Sequence, residues 1–554
     1  MPPAGKNVVV ISRARELDYT HDFASLPPEY GTPAYEQRAD VRAIRDVVWE
    51  NLAQLDAEIH FGERIRGRKI LIKPNLVTVF HDLGMQRRDF PETTDPRVID
   101  AVVLYLQQFT ADIHIVESSG RGMPTWASFR IAGLDRLARV RKVRLVALEE
   151  QPADRYLLPR ARVMREVVIP RVFSQVVRGE TFYISMPKMK TNLYTGVTLG
   201  FKNAMGVLTY NLRQRNHNYD LDQKLVDLLH LLQADLTIID GIVGGEGNCP
   251  APVEPVHSRV IVSGNHCVET DRAATRLMGF DPREIPLLRI ADENGFCDPQ
   301  VQIFGDQRAT PFRPADPSLL GEWMHRNYPN VTVLVGHSLN GAPAPDENGR
   351  LRPEQLCQME GVCRGGCLAT TRYGFDMLYY EGKPRDFSLT VIIGAGANHN
   401  GQPLYYDAQG KASTPSQIAA LPGKKLAVGS CARGLKGIVN AHVDGCMPFP
   451  NSPHMLLHQL SGTACAVVSP RNRFLLPALF ATLRMCERRK ALLRAGQRID
   501  VPPVSEDRQY EPRAFTPEEQ HRDWIYEQFE PLTSQEIKSL CRAENRSILA
   551  TFWP

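Results

Sequence analysis

The sequence predicts an α/β protein: two parallel-sheet domains with helices on both faces, followed by a helical C-terminal extension. Three observations carry this. Short β-branched runs alternate with amphipathic helical patterns, which implies parallel pairing in a covered sheet. A Gly-, Asp- and Pro-rich stretch at Phe304–Pro317 separates two such series. After residue 470 the pattern turns helical and strongly charged. The expected division is therefore 1–320, 321–470 and 471–554.

In the first series the strand candidates are Val8–Ile11, Lys69–Ile72, Ile113–Val116, Val143–Leu148, Thr181–Ser185, Leu236–Ile239 and Val260–Ser263. Between them, Val41, Ile44, Val48, Leu52 and Leu55 recur at helical spacing. Asp95-Pro96 opens a second helix, with Asp as cap and Pro in the first turn. The second series offers Val331–Val335, Leu389–Ile393, Lys425–Val428 and Ala464–Val468. In the extension, Arg471–Arg498 has eight basic residues and one acid, and residues 499–530 have nine acids and three bases. It reads as a packing helix with a solvated tail, or else as a docking helix for an acidic partner. Leu475, Leu476, Leu479, Phe480, Leu483 and Cys486 form its expected apolar face.

With 554 residues, 43% hydrophobic, 23% charged and a net charge of +4, the composition is that of a globular protein. It argues against nucleic-acid and membrane partners. No leader-like apolar run opens the chain, so a cytoplasmic location is expected, where the eleven cysteines stay reduced.

Strand ends carry the first set of candidate residues. Lys73-Pro74-Asn75, Glu117-Ser118, Lys188-Met189-Lys190-Thr191, Lys202-Asn203-Ala204-Met205-Gly206 and Asp240-Gly241 each end or follow a strand. In a parallel sheet such ends converge on one edge. Lys73, Lys188, Lys190, Glu117 and Asp240 are the candidate catalytic set. Lys202, Asn203, Gly244, Gly245 and Glu246 are the candidate ligand-holding set, suited to a phosphate or carboxylate. Glu117, Asp240, Glu246 and Asp271 offer a site for a divalent ion, or act as caps and turn formers. Neither a Walker A motif nor a dinucleotide fingerprint is present.

The second set is soft. Cys357, Cys363 and Cys367 lie within eleven residues, and Cys431 and Cys446 follow on Gly- and Pro-rich loops. Thiolates on loops free to bend suit a 4Fe–4S cluster. Zinc remains an alternative, though its paired Cys-x-x-Cys knuckles are absent. The other six cysteines read as structural, and His399 and His442 as loop histidines.

Those ordered motifs, with Thr94-Asp95-Pro96, Gly196-Val197-Thr198 and Met278-Gly279-Phe280-Asp281-Pro282, resemble domain-of-unknown-function family 362 over roughly residues 65–300. Asn192 stands where many members show His. The resemblance implies the fold and the cleft, and iron–sulfur modules often accompany that family. Gly429-Ser430-Cys431-Ala432 and Gly445-Cys446-Met447-Pro448-Phe449-Pro450 are similar to the cluster-binding small subunits of quinone oxidoreductases and nickel–iron hydrogenases. That likeness implies Cys431 and Cys446 as ligands, joined by Cys363 and Cys367, with Cys357 competing for the fourth place. The joint expectation is an iron–sulfur oxidoreductase that acts on, or relays electrons to, a small anionic metabolite. A redox partner protein would then supply the electrons. Two alternatives stay open: a non-redox ligase, isomerase or racemase with a structural metal, and an electron-transfer or interaction subunit.

Overall fold

The computed structural model of the chain describes residues 6–17, 25–77, 91–120, 123–250, 253–337, 343–449, 451–465, 475–502 and 512–552. Its centre is a large mixed sheet. Across that sheet the strands run Gln302–Gly305, Val8–Arg13, Val260–Gly264, Leu236–Glu246, Phe182–Met186, Ile70–Pro74, Ile113–Glu117 and Arg144–Ala147. The last five pair in parallel, so the ends of Ile70–Pro74, Ile113–Glu117 and Phe182–Met186 share one edge. Every residue of those three strands is buried, as strands covered on both faces require.

The sheet departs from the expected all-parallel form at one side. Val260–Gly264 runs antiparallel to both Val8–Arg13 and Leu236–Glu246. The connection from Glu246 to Val260 is too short to carry the crossover helix that a parallel neighbour needs. Helix Ala39–Ile59 covers one face with Val41, Ile44, Val48, Leu52 and Leu55, all at most 3% exposed. Asp95 caps helix Pro96–Leu106 by accepting from the Arg97 amide, and Arg97 is in turn buried between Asp95 and Asp40.

A second sheet has the order Ala397–His399, Gln402–Tyr406, Val331–Val335, Leu389–Ile393, Lys424–Val428 and Ala441–Val443. Its last four strands are parallel. The expected strand at Ala464–Val468 does not form where it is described: Ala464 and Cys465 lie in a loop, and 466–468 fall outside the described residues.

The extension folds back onto the first region. Ile525–Glu527 adds a strand to the hairpin of Ala153–Leu157 and Glu166–Pro170. On helix Leu475–Arg494, Ala481, Met485, Cys486 and Leu493 are buried, whereas Leu476, Phe480 and Leu483 are exposed. The buried face is rotated from the one expected because Arg489 and Lys490 are drawn inward. Arg489 pairs with Glu544 and donates to the Glu149 carbonyl, and Lys490 donates to Asn545. Among the described residues no helix is long and apolar enough to cross a membrane.

Candidate metal and anion site

At the edge of the first sheet the polar motifs knit into a buried network. Lys73 Nζ lies 2.7 Å from Glu117 Oε1, and Lys188 Nζ lies 2.6 Å from Asp240 Oδ2. All four side chains are at most 2% exposed. Asn203 holds the first pair in place: its Oδ1 accepts from Lys73 Nζ, and its Nδ2 donates to the Lys73 carbonyl and to Ser185. Gly206 leaves the room. A Cβ there would stand 2.8 Å from Lys73 Nζ and 3.1 Å from Glu117 Oε1. Lys190 donates to Asn75 Oδ1 and to the Glu92 carbonyl, and burial lowers its pKa to about 8.

The candidate carboxylates are distributed rather than gathered. Glu117 also accepts from the Leu76 and Ser118 amides, and Asp240 from those of Asp95 and Ile242. Burial, opposed by Lys188, raises the Asp240 pKa. Asp271 accepts from the Gly200 and Phe201 amides, and Glu246 from that of Arg313. Gly244 and Gly245 belong to strand Leu236–Glu246, not to a loop. Their missing side chains admit Phe312 and Val253, each 2.4 Å from where a Cβ would be. Asn192 Oδ1 gathers the amides of Tyr194 and Thr195 and so shapes a turn.

Lys202 differs from the other lysines. It is half-buried, and it has no hydrogen-bond or ion-pair partner among the described residues. Desolvation, reinforced by nearby Lys190, lowers its pKa to about 7. Asp222 lies within electrostatic range of it, and burial raises that carboxyl to about 6. The Asp222 Oδ1 atom is buried without a partner. His217, also in range of Lys202, has its pKa lowered to about 3 by burial, and its Nδ1–H donates to the Gly365 carbonyl at 2.9 Å.

Gly365 brings the cysteines in. Cys363 ends helix Pro353–Val362, and a wide π-type turn at Arg364–Leu368 carries Cys367. Cys431 and Cys446 each sit three residues beyond a parallel strand of the second sheet, at its carboxyl edge. The Cys367 and Cys431 sulfurs converge at Gly429, which has φ +105°. A Cβ on that residue would stand 2.9 Å from Cys367 Sγ and 3.4 Å from Cys431 Sγ. The Cys431 and Cys446 loops are laced by Ser430 N to the Gly445 carbonyl and by Gly445 N to Ser430 Oγ. Asn218 Nδ2 lies 3.4 Å from Cys446 Sγ, and the Asn218 backbone packs on Gly365. Cys357 is exposed on its helix, two turns before Cys363.

Cys249, Cys267 and Cys297 have thiols pushed up by desolvation to about 12, and Cys486 to about 11, so they stay protonated and inert. Of the loop histidines, His442 is held by the Gly429 carbonyl, and His399 lies on the hairpin strand Ala397–His399.

Comparison with known proteins bears on the first region. Residues 70–276 match DUF362, a domain of unknown function. That DUF362 domain contains the Lys73–Glu117 and Lys188–Asp240 pairs, Lys202, and the segment 214–224 on which the cysteine turn rests. The chain is also 26% identical over 118 residues to the thylakoid-associated protein sll1697 of Synechocystis. The match covers 20% of this chain and 37% of that relative. No solved structure matches.

Sequence reasoning missed Asn218 and His217, which link the DUF362 domain to the cysteines. It also missed a buried group of Glu381, His454, His458 and Cys465. The His454-x-x-x-His458 spacing was the available signal for the histidines; nothing local points to Glu381.

Proposed function

We propose that this chain is an iron–sulfur oxidoreductase whose 4Fe–4S cluster serves an anionic, carboxylate- or phosphate-bearing substrate beside Lys202. One observation carries the reading. The turn bearing Cys363 and Cys367 is seated through His217 to Gly365, and the Cys446 loop through Asn218 to Cys446, on the DUF362 segment that neighbours Lys202. Cys363, Cys367, Cys431 and Cys446 would hold the cluster. Gly429 supports the fit, because a side chain there would fill the space between two of the sulfurs. When bound, the cluster supplies one-electron chemistry, or Lewis acidity at an open iron. The chain's own groups do the rest. Asn218 donates toward Cys446 Sγ, a contact of the kind that raises a cluster potential. Protonated Lys202 attracts the anion, and Asp222, poised near neutrality by burial, is placed to give or take a proton.

The test uses anaerobically purified full chain. A brown protein whose broad visible band bleaches with dithionite, with about four iron per chain, is expected. Lys202→Ala should keep the iron and lose sulfate affinity. A colourless, iron-free protein contradicts the reading.

A further inference from the structure

We propose that Glu381, His454, His458 and Cys465 form a closed zinc site, separate from the cluster, that staples the two flanks of the cysteine region. One ligand atom from each of the four residues lies within 4.8 Å of all the others. His454 Nε2 is 3.0 Å from Glu381 Oε1, His458 Nε2 is 3.1 Å from Glu381 Oε2, and the two Nε2 atoms are 3.1 Å apart. The site is dry: His454 is 0% exposed, His458 2%, Glu381 7% and Cys465 8%.

The surrounding hydrogen bonds indicate which atom of His458 faces inward. The Ser461 hydroxyl donates to the His458 carbonyl. Its one proton is thereby used, so Thr463 Oγ1 must donate to Ser461 Oγ across their 3.0 Å contact. Thr463 Oγ1 then accepts from His458 Nδ1–H at 2.7 Å. A neutral His458 therefore points the lone pair of Nε2 at a carboxylate oxygen and at a second imidazole nitrogen. A proton on His454 Nε2 would satisfy the imidazole contact, but the 3.1 Å approach of His458 Nε2 to Glu381 Oε2 still sets two lone pairs against each other and repels unless a positive centre lies between them. An added proton on His458 would relieve the Glu381 contact alone and would give Cys465 no role. A zinc ion uses all four groups. Two neutral imidazoles, one carboxylate and one thiolate also give Zn²⁺ a neutral site, which suits burial. The Thr463 contact is the usual outer partner that fixes a ligating histidine.

The fold builds the site deliberately. His454 and His458 lie one turn apart on helix Asn451–Ser461, and Glu381 directly follows helix Ala369–Tyr380. Gly374 lets these helices touch, since a Cβ there would be 2.8 Å from Leu457 Cδ1 and 3.3 Å from the His454 backbone. One helix begins just after Cys367 and the other just after Cys446. With four protein ligands and no open position, the ion is structural.

The experiment incubates the full chain with zinc alone, desalts it, and measures zinc content and zinc-edge X-ray absorption. One zinc per chain is expected, with three nitrogen or oxygen neighbours and one sulfur. Cys465→Ser should remove the sulfur from that shell. His458→Ala should weaken zinc binding by more than the ~10–100-fold that loss of an outer partner costs, and iron should be unchanged in both. No retained zinc, a sulfur-rich shell (zinc on the cluster cysteines), or zinc unaltered in both variants overturns the proposal. If the variants fail to fold, the wild-type shell decides alone.

Discussion

The two sheets present their carboxyl edges to the same junction but furnish them in opposite ways. The edge of the DUF362 domain is hard and self-satisfied: Lys73 answers Glu117, Lys188 answers Asp240, and Asn75 and Asn203 fill the remaining bonds. The second edge carries sulfur on turns that glycines open, with Gly429 and Gly445 at φ +105° and +125°. A lysine at a strand end is therefore not by itself a ligand site. Where a carboxylate is equally buried alongside, the pair closes on itself, as Lys73–Glu117 and Lys188–Asp240 do. Lys202, with no hydrogen-bond or ion-pair partner among the described residues, is the lysine that the proposed function assigns to the anion.

Substitutions break this comparison from either side. The largest effect belongs to the sulfur edge: Cys431→Ser should remove most of the iron, read by metal analysis, and leave the DUF362 domain folded. Next comes Glu117→Gln, which strands a buried ammonium. It should cost about 3–5 kcal/mol in chemical denaturation while the iron bound by the folded fraction is unchanged. Gly206→Ala pushes a methyl against Lys73 Nζ and should cost about 1–3 kcal/mol, again by denaturation.

The smallest effect is a pH dependence centred on Lys202. Its folded pKa of about 7 lies below the ordinary 10.5. Between those values the unfolded chain binds the extra proton, so this group's contribution to stability rises with pH. Sulfate affinity should move the other way, falling by up to about tenfold per pH unit above 7. The opposite signs, measured by denaturation and by calorimetric titration, isolate Lys202, and Lys202→Ala should flatten both.

Much of this fold is legible in the sequence because its strands are short, β-branched and buried on both faces, so that their runs are unbroken. The mixed pairing at Val260–Gly264 is not, because antiparallel and parallel neighbours read alike along a single strand. At the site, the sequence locates Lys73, Lys188, Glu117, Asp240 and the cysteines but not which pairs with which. Glu117 is 44 residues from Lys73, and Glu381 is 73 residues from His454. Such pairings are set by the sheet order and by helix packing at Gly374, which no local motif records. Gly244 and Gly245 pose a related problem: in the sequence, glycines that admit a neighbouring side chain resemble glycines that open room for a ligand.

A redox-active cluster on Cys363, Cys367, Cys431 and Cys446 is open to direct measurement. Low-temperature electron paramagnetic resonance of the dithionite-reduced full chain, beside Cys446→Ser, tests it most directly. A rhombic signal from a reduced 4Fe–4S cluster, lost or altered in the variant, is expected. A reduced wild-type chain that contains no iron contradicts it, as does an iron signal identical in both proteins.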